Sequence, residues 1–205
     1  MLREKRADDF FVVIASATID PTGFLSFFKS PYQALNVQGR IFEVSLDYKP
    51  PVAAMNPKQL IADHVIPSVV ESMEKYADGH VLVFLPGQME IDLAIKRFMA
   101  TTDFTDVVVF PLFGALPPEE QDKIMKFDST ASGQRMVVFT TNVAETSLTI
   151  PGVTLVVDAG LAKEVRYDQT RRLSVVELVT ISRSSADQRK GRAGRIAPGK
   201  CEACS

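Results

Sequence analysis

The 205-residue sequence has little of what several common protein classes require. Two cysteines and two histidines are too few for a disulfide framework or for a metal site with several such ligands, and we predict no metal site. No apolar run approaches the roughly 18 residues that span a bilayer. Charged residues from Arg3 to Asp9 leave no early apolar region typical of a secretory signal. We therefore expect an intracellular protein, nuclear or cytoplasmic, that does not enter a membrane.

The net charge of −2 conceals an uneven distribution. Between Lys163 and Lys200 there are ten basic and four acidic residues, a local charge of +6 that leaves −8 for the rest of the chain. A basic segment on an acidic chain indicates a local site for phosphate or nucleic acid. A solvated basic surface is the alternative that charge alone leaves open.

Short apolar runs, several of them rich in valine, alternate with segments of helical periodicity. The runs predicted as strands are Phe10–Ala15, His80–Leu85, Val107–Pro111, Met136–Thr140, Thr154–Asp158 and Val175–Ile181. The segments predicted as helices are Pro57–Tyr76, Gln88–Met99, Pro118–Phe127 and Ser185–Ala193. This alternation predicts an α/β fold with an open, mainly parallel sheet and flanking helices. Residues Ala162–Ile181 alternate in part around a polar centre at Asp168–Arg172, which predicts an inserted β-hairpin.

The strongest cluster of candidate functional residues is Gln188–Arg195. Arg192 and Arg195 are three positions apart, so on a helix they would share one face and could clamp phosphate oxygens. Gly191 and Gly194 would let backbone or a ligand come close. The alternative is a basic surface loop spaced by glycines.

A second cluster, Thr140–Gly152, follows a valine-rich strand at the carboxyl end where open α/β sheets place ligands. Its hydroxyl, amide and carboxylate groups suit ribose and phosphate, which are contacted without reading sequence. A polar loop that caps its own backbone would have the same composition.

Taken in order, five blocks make the chain resemble a DEAH-box RNA helicase of superfamily 2. Ser16-Ala17-Thr18 resembles motif III, and Val81–Gln88 resembles motif IV. Pro111–Leu116 resembles the loop that follows motif IV, Thr141–Ser147 motif V, and Gln188–Arg195 motif VI. The resemblance implies a remnant of a first RecA-like domain at residues 1–33, a linker at 34–56 and a second RecA-like domain at 57–205.

The resemblance also implies ATP hydrolysis coupled to RNA translocation and unwinding, with ATP and Mg²⁺ bound between two RecA-like domains. The chain contains neither a G-x-x-x-x-G-K-[ST] loop nor an Asp-Glu-x-His block. We therefore expect the Mg²⁺ ligands in the absent first domain, and the chain to be a fragment that is inactive alone. It also ends without the aromatic strand usual in relatives, since Glu202-Ala203-Cys204-Ser205 follows Cys201.

Residue roles carried over from the family fall into four groups. The resemblance implies that Gln188, Arg192 and Arg195 act at the γ-phosphate as catalytic residues. It implies that Ser147, Thr149 and Met125 bind the nucleotide, with Met125 where relatives stack a phenylalanine on adenine. It further implies that Thr141, Asn142 and Gly114 bind RNA and that Ser16 and Thr18 couple the two domains.

Partners implied by the resemblance are RNA, held largely through its backbone, the first RecA-like domain, and activating proteins. The predicted hairpin would separate strands or hold single-stranded RNA. The rival interpretation is a non-catalytic RNA-binding or interaction module that keeps the fold. A DNA-acting relative also stays open, and we assign no function to the Cys201-x-x-Cys204 pair.

Overall fold

The computed structural model describes residues 13–15, 22–27, 35, 42–146 and 148–204. The chain divides into two compact units, Met1–Gly39 and Arg40–Ser205. In the first unit, helix α1 spans Thr22–Phe27. The described part of the strand predicted at Phe10–Ala15, residues 13–15, has no regular structure. The division into a remnant, a linker and a second domain stays a prediction.

The second unit is built on a six-stranded sheet in which every pair of neighbouring strands is parallel. The strand order is β1-β8-β5-β2-β4-β3. The bounds are β1 Val44–Tyr48, β2 His80–Phe84, β3 Val107–Leu112, β4 Arg135–Thr140, β5 Val153–Asp158 and β8 Gly199–Ala203. The predicted α/β fold with a mainly parallel sheet is confirmed.

Helices connect these strands, as parallel crossovers require. They are α2 Pro57–Leu60, α3 Ile66–Lys75, α4 Gln88–Thr101, α5 Pro118–Met125, α6 Ser129–Ser132, α7 Val143–Thr146 and α8 Arg183–Lys190. A π-helical turn, Ile61–Val65, joins α2 to α3. Asn56 begins α2 by accepting from the Gln59 backbone N–H, while the Gln59 side chain accepts from the Asn56 N–H. Within the described ranges, no helix has the length and apolar character needed to cross a bilayer.

The sheet is buried on both faces. Along β2, Val81 and Val83 enter one apolar cluster with α3 and α4, while Leu82 and Phe84 enter a second on the opposite face. Successive side chains of a strand point to opposite faces, so continuous apolar runs of this kind suit a sheet covered on both sides. The sequence prediction of doubly buried strands rested on the same pattern.

Two strands differ from the sequence interpretation. Strand β1 lies within residues 34–56, interpreted as a linker, yet it pairs with β8 from Val44↔Gly199 to Tyr48↔Ala203. Strand β8 forms where the expected aromatic strand is missing, because its backbone pairs with β1 on one side and β5 on the other. Pairing on both sides outweighs the weak strand propensity of glycine, lysine and glutamate here.

The predicted hairpin is present as β6, Leu161–Asp168, paired antiparallel with β7, Leu173–Thr180. At its tip, one carboxylate oxygen of Asp168 accepts from the backbone N–H groups of Thr170 and Arg171. Arg172 completes the turn with a φ of 52°, in the left-handed region.

Candidate functional site

Loops that carry predicted site residues leave adjacent strands at one edge of the sheet. Gly114 follows β3, and Thr141 and Asn142 follow β4; the Leu112 carbonyl accepts from the Thr141 N–H at 3.1 Å. Because all strands of this sheet are parallel, this is their shared carboxyl edge, where open α/β sheets bind ligands. A Cβ added to Gly114 would meet no atom within 4 Å, so local packing does not demand glycine.

The loop after β4 turns at once into the short helix α7. The N–H of Glu145 donates to the carbonyl of Asn142 at 2.9 Å, and Asn142 itself is exposed. This turn brings the Glu145 side chain back towards α8, which carries Gln188 and Arg189.

Arg189 is a buried hub of this region, with 1% of its surface exposed. Its Nε donates to Glu145 Oε2 at 3.0 Å and its Nη1 to Asp158 Oδ1 at 2.8 Å. The guanidinium also lies 4.8 Å from the ring centroid of Phe84. One side chain thereby joins α7, β5 and β2 to α8.

The charge state of this hub follows from its partners. Burial raises the pKa of Asp158, while the Arg189 guanidinium and the Gly160 N–H, which donates to Asp158 at 2.8 Å, oppose that rise. The guanidinium and the backbone N–H both favour the charged form of the Asp158 carboxylate, against the cost of its burial. Asp158, Glu145 and Arg189 therefore form a desolvated ion-pair network.

The Arg192 side chain binds backbone carbonyls of α7 and of the loop that follows α7. Its Nε donates to the Glu145 carbonyl at 3.0 Å, its Nη2 to the same oxygen, and its Nη1 to the Leu148 carbonyl at 2.5 Å. The residue is 6% exposed. Burial, then the neighbouring charge of Arg195, lower the pKa of Arg192 to about 10, so it remains cationic at neutral pH.

Arg195, by contrast, is exposed, and its Nη1 donates to Thr149 Oγ1 at 2.6 Å. Both arginines border one narrow crevice with Leu148 and Ile150 that has no room for a water molecule. The Arg195 side chain is exposed, whereas the donors of Arg192 bind backbone carbonyls.

The expectation that the two arginines share a helical face was wrong. Helix α8 ends at Lys190, and the next residues form successive tight turns, with Arg192 N–H donating to the Arg189 carbonyl at 3.0 Å. The predicted helix to Ala193 is therefore too long. A Cβ on Gly194 would lie 2.6 Å from the Phe42 carbonyl oxygen, so this glycine admits the chain that leads into β1.

The remaining predicted residues are distributed unevenly. Gln188 is half-buried on α8. Met125 is half-buried and packs on the apolar cluster that includes Ala144 and Ile150. Three predicted site residues lie outside the described residues: Ser147, Ser16 and Thr18.

Glu145, Asp158 and Arg189 received no role from the sequence, although all three lie in or beside the quoted motifs. The available signal was an aspartate that ends a buried strand, since an acidic group there requires a buried cation. Spacing singled out Arg192 and Arg195 but not Arg189, because spacing shows periodicity but not which side chain faces inward.

The two cysteines do not form a joint site. Cys201 belongs to one core cluster and Cys204 to the cluster on the opposite face of the sheet. Burial raises the pKa of Cys201 to about 12 and that of Cys204 to about 11, so both stay as thiols. Within the described part of the chain, no three His, Cys, Asp or Glu side chains are grouped to hold a metal ion.

Residues 62–197 match the family described as helicase conserved C-terminal domain. The chain is 38% identical over 200 residues to ATP-dependent RNA helicase DEAH11, chloroplastic, of Arabidopsis thaliana, a match that covers 96% of this chain and 11% of that protein. It is 37% identical over 202 residues to the human probable ATP-dependent RNA helicase DHX34, covering 94% and 17%. It is 32% identical over 197 residues to ATP-dependent RNA helicase HrpA of Borreliella burgdorferi, covering 96% and 23%.

Among solved structures, the crystal structure of the Escherichia coli DEAH/RHA helicase HrpB superposes with a TM-score of 0.71 at 35% identity. That match covers 82% of this chain and 20% of the HrpB chain. The chain thus spans between about a tenth and a quarter of the relatives that it matches.

Proposed function

Because the chain belongs to the helicase conserved C-terminal domain family, in its DEAH-box RNA helicase group, we propose that it serves as the second RecA-like domain of an ATP-dependent RNA helicase. In that role it supplies one half of a nucleotide site and part of an RNA-binding surface. ATP hydrolysis coupled to movement along RNA is the activity of the whole assembly.

The observation that carries the proposal is the exposed guanidinium of Arg195, whose Nη1 donates to Thr149 Oγ1 at 2.6 Å. A planar, exposed guanidinium fork fits phosphate oxygens. Arg192, which is buried and borders the same crevice, adds a second positive charge near Arg195. This donor set fits the terminal phosphates of a nucleotide.

ATP with Mg²⁺, when bound, supplies the phosphoryl group whose transfer to water drives the cycle. Towards that group, Arg195 would neutralise developing negative charge. Arg192 would hold the Glu145–Leu148 loop so that Thr149 stays in place, and Gln188 would orient water. Met125 and Ser147 would contact the base and ribose.

The RNA-binding part of the proposal rests on Gly114, Thr141 and Asn142 at adjacent strand ends. An exposed amide and a hydroxyl beside an open glycine suit contacts to sugar and phosphate, which hold RNA without reading its sequence. Binding is therefore expected to weaken steeply with salt.

The test is fluorescence anisotropy of a labelled mixed-sequence single-stranded RNA between 50 and 200 mM salt, concentrations chosen for their counterion sensitivity. We expect salt-steep binding that the double variant Thr141→Ala/Asn142→Ala weakens by about tenfold, the loss of one or two hydrogen bonds to charged groups. Thr101→Ala, on the far end of α4, is the matched control and should bind as the parent chain does.

Absence of binding at low salt, or equal binding by the double variant, would contradict the proposal. A second arm measures ATP hydrolysis by the chain alone, which we expect to be undetectable because the sequence contains no phosphate-binding loop. Mg²⁺-dependent hydrolysis that disappears in Arg192→Ala would show a complete nucleotide site and overturn this half-site assignment.

A further inference from the structure

The hairpin β6–β7 is attached to the six-stranded sheet and its helices, here called the body, through residues at the base of the hairpin, around Leu161, Lys163 and Ile181. Its two strands contact chiefly each other. Beyond Lys163 most residues of both strands are exposed, with Val165 and Val176 more than 60% accessible. An element with so little packing on either face depends on its base contacts for its orientation.

One base contact is an ion pair between the hairpin and the start of α4. Lys163 Nζ lies 2.9 Å from Glu90 Oε1 and 2.7 Å from Glu90 Oε2. The Glu90 side chain is 13% exposed and that of Lys163 is 32% exposed. A two-pronged, largely desolvated contact is stronger than the usual surface ion pair.

The backbone at Gly87 leaves room for this contact. A Cβ added there would lie 2.8 Å from both Lys163 Nζ and Glu90 Oε2. Gly87 ends the loop that follows β2 and precedes the first residue of α4. The ion pair therefore joins the hairpin to a loop at the carboxyl edge of the sheet.

A second base contact comes from the buried hub. Arg189 Nη1 donates to the Leu161 carbonyl at 3.4 Å. The Ile181 N–H donates to the Gly160 carbonyl at 3.0 Å. Arg189 is fixed by two carboxylates and cannot move without breaking the core. Lys163–Glu90 is the base contact that can open while the body stays folded.

We propose that Lys163 and Glu90 are positioning residues that set the direction of the hairpin relative to α4, and that opening their ion pair lets the hairpin swing. The pair thereby links the start of α4 to the position of the hairpin, which the family resemblance leads us to expect to contact RNA. The link to RNA rests on the proposed function, whereas the mechanical part does not.

The test is the spin-label distance between Thr170→Cys at the hairpin tip and Glu74→Cys on the exposed side of α3, measured by pulsed electron resonance. The native cysteines are buried and their raised pKa values keep them unreactive, so labels attach to the introduced thiols. In the parent background we expect one narrow distance distribution.

Lys163→Met and Glu90→Gln should each at least double the width of that distribution, without a large shift of the urea midpoint. Arg166→Met removes two exposed ion pairs within the hairpin, to Glu164 and Glu177, and should leave the width unchanged, which makes it the matched control. The charge swap Lys163→Glu/Glu90→Lys should narrow the distribution again, which a merely destabilised variant would not do.

An unchanged width in Lys163→Met, or a width that broadens equally in Arg166→Met, would overturn the inference. The RNA anisotropy assay then separates the two proposals. Broadened distances with unchanged RNA affinity would leave the positioning role standing and count against the hairpin as an RNA contact.

Discussion

Valine has opposite environments in the parallel sheet and in the hairpin. Val138 of β4 is 0% exposed, whereas Val176 of β7 is 66% exposed. Both lie in regular strands with complete ladders. The difference teaches that strand formation and burial are separate consequences of this sequence: the sheet is stabilised by apolar contact on two faces, the hairpin by its ladder and cross-strand pairs.

Arginine shows the same contrast. Arg189 in the body is desolvated and paired with Asp158 and Glu145. Arg166 in the hairpin pairs with Glu164 and Glu177 at 3.5 and 3.7 Å, and all three side chains are at least half exposed. Identical charges therefore contribute very different amounts to the free energy of unfolding.

The largest expected effect comes from removing the buried arginine. Arg189→Met leaves Asp158 and Glu145 without their counter-charge and should lower the free energy of unfolding by about 3–5 kcal/mol. Arg166→Met, the hairpin counterpart, should change it by about 0.5 kcal/mol or less. Urea unfolding monitored by circular dichroism measures both changes. Similar losses in the two variants would contradict the expected difference between the buried and the exposed arginine.

A smaller effect is expected from replacing one methyl group with a hydroxyl, first at a buried valine of the sheet and then at an exposed valine of the hairpin. Val138→Thr places that group in an apolar layer and should cost about 1–3 kcal/mol. Val176→Thr keeps the β-branch and exposes the hydroxyl to water, so its cost should lie within about 0.5 kcal/mol of zero. The same urea titration applies, and a costly Val176→Thr would reveal that this hairpin face is covered.

The smallest effect is a pH dependence confined to the body. His80 at the start of β2 accepts the Met136 N–H at its Nδ1 at 3.1 Å, and burial, then the charge of Arg135, lower its pKa below the ordinary value. The unfolded chain therefore binds a proton at His80 more readily than the folded chain does. Stability is therefore fully present above about pH 6.5 and declines as the pH falls below it, by at most about 1.4 kcal/mol per pH unit.

Urea unfolding of the parent chain and of His80→Asn at pH 7.5 and about 5.5 isolates this contribution. The asparagine oxygen can accept the same N–H without titrating, so the variant should lose less stability on acidification. An equal loss in both proteins would assign the pH dependence to other groups.

Much of the body was predictable because its signals are local. Doubly apolar runs such as His80–Phe84 predicted buried parallel strands, and the polar tip at Asp168–Arg172 predicted the hairpin. Strand β8 was missed, and the segment that forms β1 was assigned to the linker, because the place of each in the sheet is specified by its partner and not by its own composition.

The candidate site was predicted at the level of segments more than of atoms. The two segments that contain Glu145 and Arg192 were both singled out in the sequence, and the structure shows that they are hydrogen-bonded to each other. Which arginine is buried could not be predicted, because helix α8 ends three residues earlier than the pattern indicated and the turn that follows rotates Arg192 inward. The end of a helix depends on tertiary contacts that the local sequence specifies only weakly.

The pairing of β1 with β8 has a consequence for the order in which the chain acquires structure. Strand β8 lies between β1 and β5, so β1 cannot join the sheet until the residues of β8 exist. During synthesis, β1 leaves the ribosome first among these strands. Nearly the whole body must then be synthesised before its partner β8 is available for pairing. Closing so long a loop is slow relative to forming the βαβ units in between. Residues 44–48 should thus be the last part of the sheet to gain protection in a pulse-labelled refolding experiment.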